Sequence, residues 1–403
     1  MDIGKSAFSL IILTFLFSGF VGAAPWSVAS HYPANVSGVQ CSYSGGIVYC
    51  IGGYTTLNYT NSTYYATTSQ SSIGPWDAGA PYPVNITGQS CTYSGLFVYC
   101  VSGYNATSTV NDTYFAQLAS NGIYNWTQTT PYPVGVYGQA CATTPEALYC
   151  FGGYNGSYET NSSFYTLLYY GLPSLWNQTT PYPVNITGPS CTISDGYVYC
   201  IGGIVNGIYS NSTFFARISQ TGIGGWNSTT PYPFNASGIG CTSAYGRIYC
   251  TGGNNAVTYL NNTYSAALSP SGISKWEQMS SMSSPITNTG CTDVDGVSLY
   301  CVGGYNSVGY SNNVSFMRIG SESPSGNVTA PIVVINGTTL STSVYSTIPQ
   351  TTVNTSTVPS SPESLSNLYY LVVPAIALLL ILIYALRRRG KKVPGARRPD
   401  RTL

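Results

Sequence analysis

Twelve cysteines carry the most obvious chemistry in this chain, and they come in pairs: Cys41/Cys50, Cys91/Cys100, Cys141/Cys150, Cys191/Cys200, Cys241/Cys250 and Cys291/Cys301. Paired thiols either bridge or bind metal. Zinc sites draw four converging ligands, usually at closer spacings, whereas these pairs recur singly along the chain, so disulfides are expected, with no metal and no cofactor. Other reactive candidates are sparse. His31 is the single histidine, and a Ser or Cys nucleophile activated by imidazole would have to use it. Asp293-Val294-Asp295-Gly296 shares its opening with calcium loops but lacks the closing glutamate, and a hairpin turn explains it better. Arg217, Arg247 and Arg318 are three cations that could meet an acidic sugar. Catalysis is not expected from this set.

The cysteine spacing belongs to a larger period. Tryptophan falls at 26, 76, 126, 176, 226 and 276 and nowhere else, every fifty residues. Each second cysteine opens a segment such as Cys50-Ile51-Gly52-Gly53-Tyr54 or Cys150-Phe151-Gly152-Gly153-Tyr154. A fixed period of this length marks one repeated supersecondary unit. Within it the signals are all β, because residues 46 to 51 and 63 to 67 are short, rich in aromatic and β-branched types, and bounded by Gly, Asn and Ser. Four strands per repeat, six times over, predict an all-β, six-bladed propeller. Between Cys191 and Cys200 the midpoint is Asp195-Gly196, a two-residue type I′ hairpin signal. Counting outward puts the two cysteines opposite each other at a non-hydrogen-bonded pair, where Cα atoms approach to about 4.5 Å, within disulfide range. The last pair is one residue wider, and a three-residue loop at Asp295-Gly296-Val297 restores the register. Each bridge closes a loop of about ten residues, worth somewhat under about 3 kcal/mol.

The repeat resembles kelch repeats. A diglycine ends the second strand, an aromatic pair lies in the third (Tyr64-Tyr65, Tyr114-Phe115, Phe214-Phe215), and a Trp lies in the fourth, over about residues 25 to 319. The paired cysteines, and Ser102-Gly103 in the second repeat, depart from that pattern. The resemblance implies a kelch-like propeller. Galactose oxidase also has one, but no second histidine exists here for its copper site, and the aspartate-box repeat of the six-bladed sialidases is absent. No seventh tryptophan occurs near residue 327, while Trp26 precedes the first cysteine hairpin. Residues 25 to 30 are therefore expected to pair with the strand around Phe316, closing the ring with no open edge at the seam.

One face of such a ring gathers tyrosines. The links into successive inner strands read Pro81-Tyr82-Pro83, Pro131-Tyr132-Pro133, Pro181-Tyr182-Pro183 and Pro231-Tyr232-Pro233, with Tyr32-Pro33 ahead of them. The loops after the diglycine add Tyr54, Tyr104, Tyr154 and Tyr305. Each tyrosine offers a rigid apolar plate and a hydroxyl, suited to glycan or protein recognition, although packing between blades is a competing role for the Pro-Tyr-Pro rings.

The ends predict where the ring is displayed. Residues 1–23, with Lys5, an apolar run and Val21-Gly22-Ala23, read as a signal peptide. Residues 24–319 form the propeller, 320–367 a Ser/Thr/Pro-rich stalk, 368–386 an uncharged apolar stretch long enough to span a bilayer, and 387–403 a basic tail. Eight of the thirteen Lys and Arg follow residue 386, so the tail is expected inside and the propeller outside, on a single-pass membrane protein. The predicted exterior carries four basic against ten acidic residues, a poor surface for nucleic acid. Nineteen Asn-X-Ser/Thr sequons, among them Asn35, Asn61, Asn85, Asn111, Asn161, Asn185, Asn211, Asn235 and Asn261, predict N-glycosylation of a chain with only 6% charged residues. The expected function is a non-catalytic surface recognition or adhesion module; a structural envelope glycoprotein and a carbohydrate-active enzyme are the alternatives. Peptide mapping without reduction should recover only the six pairs named. A Cys50–Cys91 peptide, or free thiols, would contradict the register argument.

Overall fold

The structure is a computed structural model that describes residues 25–69, 72–219 and 221–319. The expected signal peptide, stalk, apolar span and tail lie outside these residues. Every regular element described is a β-strand, and among the described residues no helix is long and apolar enough to cross a membrane.

Each repeat folds into an antiparallel blade. In blade one the inner strand Gln40–Ser44 pairs with Ile47–Ile51, then Thr63–Thr67, then the outer Asp77–Ala78. Turn chemistry sets the register. Asp195 and Gly196 both take positive φ, 49° and 77°, the type I′ geometry that matches strand twist, and Cys191 then faces Cys200.

All six expected pairs are bonded, Cys41–Cys50, Cys91–Cys100, Cys141–Cys150, Cys191–Cys200, Cys241–Cys250 and Cys291–Cys301, with Cα atoms 4.1–4.2 Å apart. The bridges are structural, as the sequence predicts, and the fold buries the second cysteine of each. Cys50, Cys100, Cys150, Cys200 and Cys250 are fully buried and Cys301 is 1% exposed, because each lies on the second strand, which is hydrogen-bonded on both sides and covered by the neighbouring blades. The second cysteine of each pair is therefore a core staple, while its partner on the inner strand lines the axial channel with its sulfur already committed to the bridge. The six bridges fit an oxidising, extracellular compartment.

The inner strands lie side by side around one axis, the sixth beside the first. Glycine makes this closeness possible. The second glycine of each pair donates its N–H to a carbonyl in the link of the next blade: Gly53 to Ile86, Gly103 to Val136, Gly153 to Ile186, Gly203 to Ala236, Gly253 to Ile286 and Gly304 to Val36, all at 2.7–2.9 Å. In blades three to six a Cβ on the first glycine would stand 2.5–2.6 Å from that same carbonyl, at a φ of 65° to 67° that side chains resist. The seam closes as expected, Ser27 pairing with Phe316 and His31 with Asn313. Trp26 donates its indole N–H to Thr263 Oγ1 at 2.9 Å and packs in the cluster of Met282.

The Pro-Tyr-Pro tyrosines do not form a binding face. Tyr32, Tyr82, Tyr132, Tyr182 and Tyr232 are at most 3% exposed. Each ring meets the tryptophan of the blade it leads into, edge-on, with centroids 4.9–5.1 Å apart. The flanking prolines stay outside while the tyrosine N–H is fixed to the third-strand entry, as in Tyr82 to Asn61 O at 2.8 Å. That anchor drops the ring between blades, where burying a large aromatic is worth more than displaying it. Tyr182→Ala should cost about 3–5 kcal/mol in chemical denaturation. Tyr182→Phe should cost under about 1 kcal/mol, because the buried hydroxyl has no hydrogen-bond partner among the described residues.

Candidate functional site

Each inner strand runs from one face of the ring to the other and its partner returns. The links and the loops after the diglycine therefore open on the same face. Each of those loops folds back on itself, with Tyr54 bridged to Tyr59, Tyr104 to Thr109, Tyr154 to Glu159, Ile204 to Tyr209, Asn254 to Tyr259 and Tyr305 to Tyr310. This geometry brings Tyr54 and Tyr305 to the wall of the axial channel at its mouth and Tyr104 and Tyr154 beside them, against Tyr137, all half-buried. It adds five rings that sequence reasoning missed, Tyr59, Tyr137, Tyr209, Tyr259 and Tyr310. Four of these lie five residues after a diglycine-loop position, the spacing that places a side chain across a tight loop from its partner.

The rings form one continuous arc. From Tyr259 the centroids step to Tyr305 (5.7 Å), Tyr310 (4.9 Å), Tyr54 (5.6 Å), Tyr59 (4.8 Å), Tyr104 (5.8 Å), Tyr137 (5.8 Å) and Tyr154 (5.5 Å). The arc is interrupted at blade four, where Ile204 stands in the tyrosine position. Burial, followed by the neighbouring phenols, pushes the pKa values of Tyr59, Tyr137 and Tyr310 up, so these hydroxyls stay protonated donors. Beyond the arc, Leu57, Ile208, Val257 and Val308 project from the loop tips with 71–95% of their surface exposed.

Below the mouth the axial channel encloses about 1030 Å3. Its wall is built from hydroxyls and backbone. Thr92 Oγ1 lies 3.1 Å from Thr143 Oγ1, and Thr192 Oγ1 lies 2.7 Å from Ser243 Oγ. Near the mouth, main-chain hydrogen bonds run from blade to blade, Gly38 to Asn288 O, Asn288 to Gly238 O, Gly188 to Gly138 O and Gly138 to Gly88 O. Asp293 is the one carboxylate among the residues lining the channel. Its oxygens accept the N–H of Gly296 at 3.2 and 3.3 Å, in the hairpin that the sequence suggested. Burial pushes its pKa up to about 6, with Asp295 adding to the shift and the Gly296 bond opposing it. Tyr43 donates to Asp295 Oδ1 at 2.6 Å.

The remaining candidates lie apart. His31 is exposed on the outer strand of blade six. Arg247 pairs with Glu277 and Ser265 within blade five, while Arg217 and Arg318 sit in the third strands of blades four and six. Among the described residues no group of three or more His, Cys, Asp or Glu gathers to hold a metal. Of the sequon asparagines, Asn35, Asn85, Asn111, Asn161, Asn185 and Asn235 are exposed, and Asn61, Asn211 and Asn261 are half-buried. The site therefore presents apolar plates and neutral hydroxyls with little formal charge.

Asp293 gives the channel a measurable pH dependence. Its folded pKa lies above its ordinary value of 3.8, so the retained proton stabilises the fold. That contribution is complete below pH 3.8 and is lost as pH rises through about 6. Asp293→Asn stays neutral, and its stability relative to the parent should rise between pH 4 and pH 7 by on the order of 1–2 kcal/mol after solvent screening. Melting temperatures that differ by a constant amount across that range would contradict it.

No protein-family model matches the chain, and no curated protein matches it. Its fold is widely shared, with 837 matching chains among solved structures. One of these, titled "Structure of YjhT", is similar with a TM-score of 0.60 and 14% identity, over 74% of this chain and 98% of that one. At that identity the likeness carries the six-bladed propeller fold alone.

Proposed function

We propose that this protein is a non-catalytic recognition module of the cell surface, a kelch-like propeller that binds a glycan across the tyrosine-lined mouth of its channel. The observation that supports it is the arc of eight half-buried tyrosines, each in ring contact with the next. Pyranose rings offer apolar C–H faces and many hydroxyls, and an aromatic plate with a phenol at its edge meets both. Tyrosine also loses little conformational entropy on binding. Catalysis would need groups that act together, whereas His31, the three arginines and Asp293 lie in separate parts of the ring. The described chain begins and ends on the opposite face, at residues 25 and 319. A stalk and anchor following residue 319, as the sequence predicts, would hold the mouth outward.

The aliphatic loop tips Leu57, Ile208, Val257 and Val308 favour a second reading, a protein ligand, because exposed apolar side chains around a polar centre mark protein contacts. A glycan array probed with the purified protein separates the two. Under the first reading a defined set of glycans binds, with little change between low and high salt, since screening weakens charge pairs rather than stacking. The triple substitution Tyr59→Ala, Tyr104→Ala and Tyr310→Ala should then weaken binding by at least about a hundredfold while the circular dichroism of the propeller is retained. Retained binding in that variant would place the recognition surface elsewhere.

A further inference from the structure

The wall of the axial channel is polar but almost free of charge. Each inner strand is hydrogen-bonded within its blade on one side only, so its free edge turns main-chain N–H and C=O groups toward the axis. Hydroxyls join them, Ser90 Oγ accepting the N–H of Cys141 at 2.9 Å and Ser190 Oγ that of Cys241 at 3.3 Å. One position departs from this pattern. Asp293 is the one carboxylate on the wall, and among the described residues that line it none is Lys, Arg or His. The equivalent positions in the other blades hold Tyr43, Tyr93, Thr143, Ile193 and Ser243, so the packing of an inner strand does not demand a carboxyl there.

The groups around Asp293 supply no counter-charge. Its own hairpin contributes Asp295, whose carboxylate is taken up by the Tyr43 hydroxyl of blade one at 2.6 Å. Tyr245 of blade five donates its hydroxyl to the Asp295 carbonyl at 3.2 Å. Burial, and then the charge of Asp293, raises the pKa of Tyr93 in blade two, so that phenol stays neutral. Burial holds the Asp293 carboxyl at a pKa of about 6, and it is ionised at neutral pH. A charge partly withdrawn from water in this way is stabilised by a cation brought to it. Access from the mouth is short. Asn288, in the hydrogen-bonded ring there, precedes Asp293 by five residues, which puts the carboxyl at most about 17 Å below the mouth at about 3.4 Å per residue. A short linear oligosaccharide entering end-on covers that depth, and the enclosed volume of about 1030 Å3 is that of a small-molecule site.

We propose that the channel takes the protonated amine of an amino sugar whose nitrogen carries no acetyl group, with Asp293 as its counter-ion and the hydroxyl-lined wall around the sugar ring. Resting on glycan recognition at the mouth, this assignment names the sugar that enters first. A neutral hexose or an N-acetylated one brings no charge to Asp293, and an acidic sugar is repelled by it. The ion pair is enclosed, so salt screens it little. Calorimetry of the full chain in mild detergent, with β-linked trisaccharides of glucosamine, N-acetylglucosamine and glucose, tests it. At pH 7 the glucosamine trimer should bind about tenfold more tightly than either of the others. A tenfold gap means that the bound amine holds the carboxyl's pKa about one unit lower, so that trimer should lose about fivefold in affinity from pH 7 to pH 5 while the other two change little. Asp293→Asn keeps an acceptor for the Gly296 N–H but loses the charge, and it should abolish both the gap and the pH dependence. Asp77→Asn, at an exposed carboxyl on the rim, should preserve both. Loss of all three trimers in the variant carrying Tyr59→Ala, Tyr104→Ala and Tyr310→Ala reports on the mouth, and loss of the gap alone reports on the channel. A glucosamine trimer that fails to bind, equal affinity for the three, a gap that survives Asp293→Asn, or one that Asp77→Asn removes as well would each overturn the proposal; binding of the neutral trimers would leave glycan recognition at the mouth standing.

Discussion

Six hydrogen bonds between backbones hold the ring at its working radius. Each joins the N–H after a tight glycine to the link of the next blade, and the one from Gly304 to Val36 carries the set across the seam. In blades three to six a side chain at the first glycine would meet the link carbonyl of the next blade, which is why glycine stands there. In blade two Ser102 takes the strained φ of 53° instead, buried and with its hydroxyl unpartnered among the described residues. The disulfides, the interblade tyrosines and the channel all follow from that spacing.

Packing then divides the aromatic residues between two tasks. The tyrosine of each Pro-Tyr-Pro link is wedged against the tryptophan of the following blade, so aromatic rings fill the outer half of each interface. At the sixth position Met282 takes the tyrosine's place near Trp26, where a flexible thioether suits the irregular seam. The rings left at the mouth lie in short loops held by backbone bridges on both sides, rigid yet half-open to solvent. Variation in those loops, such as Ile204 or Asn254 in the tyrosine position, changes the mouth without disturbing the blades.

Charge plays a minor part in this architecture. The ion pair of Arg247 with Glu277 is exposed and contributes little to stability. Asp293 is the exception, a carboxyl drawn partly out of water by the channel wall and kept protonated to about pH 6 by that burial. Neutral hydroxyls and main-chain amides supply the remaining polarity of the channel, and they bind neutral polar ligands without the desolvation cost of ions.

Fold and disulfides were legible in the sequence because they depend on local spacing. Asp195-Gly196 specifies a turn, the turn specifies a register, and the register opposes Cys191 and Cys200; the early Trp26 likewise pointed to a strand that crosses the seam. Which tyrosines face outward was not legible. Tyr82 and Tyr54 belong to segments of one face, equally aromatic and equally repeated, and only the inter-blade packing shows that the first is swallowed by Trp126 while the second reaches the mouth. The same holds for Asp293, which reads as a turn residue in sequence and lines the channel in space. Repeat period and turn chemistry act between residues near in the chain, whereas exposure depends on neighbours in the adjoining blade, such as Trp126 for Tyr82 and Tyr310 for Tyr54, which only the closed ring brings together.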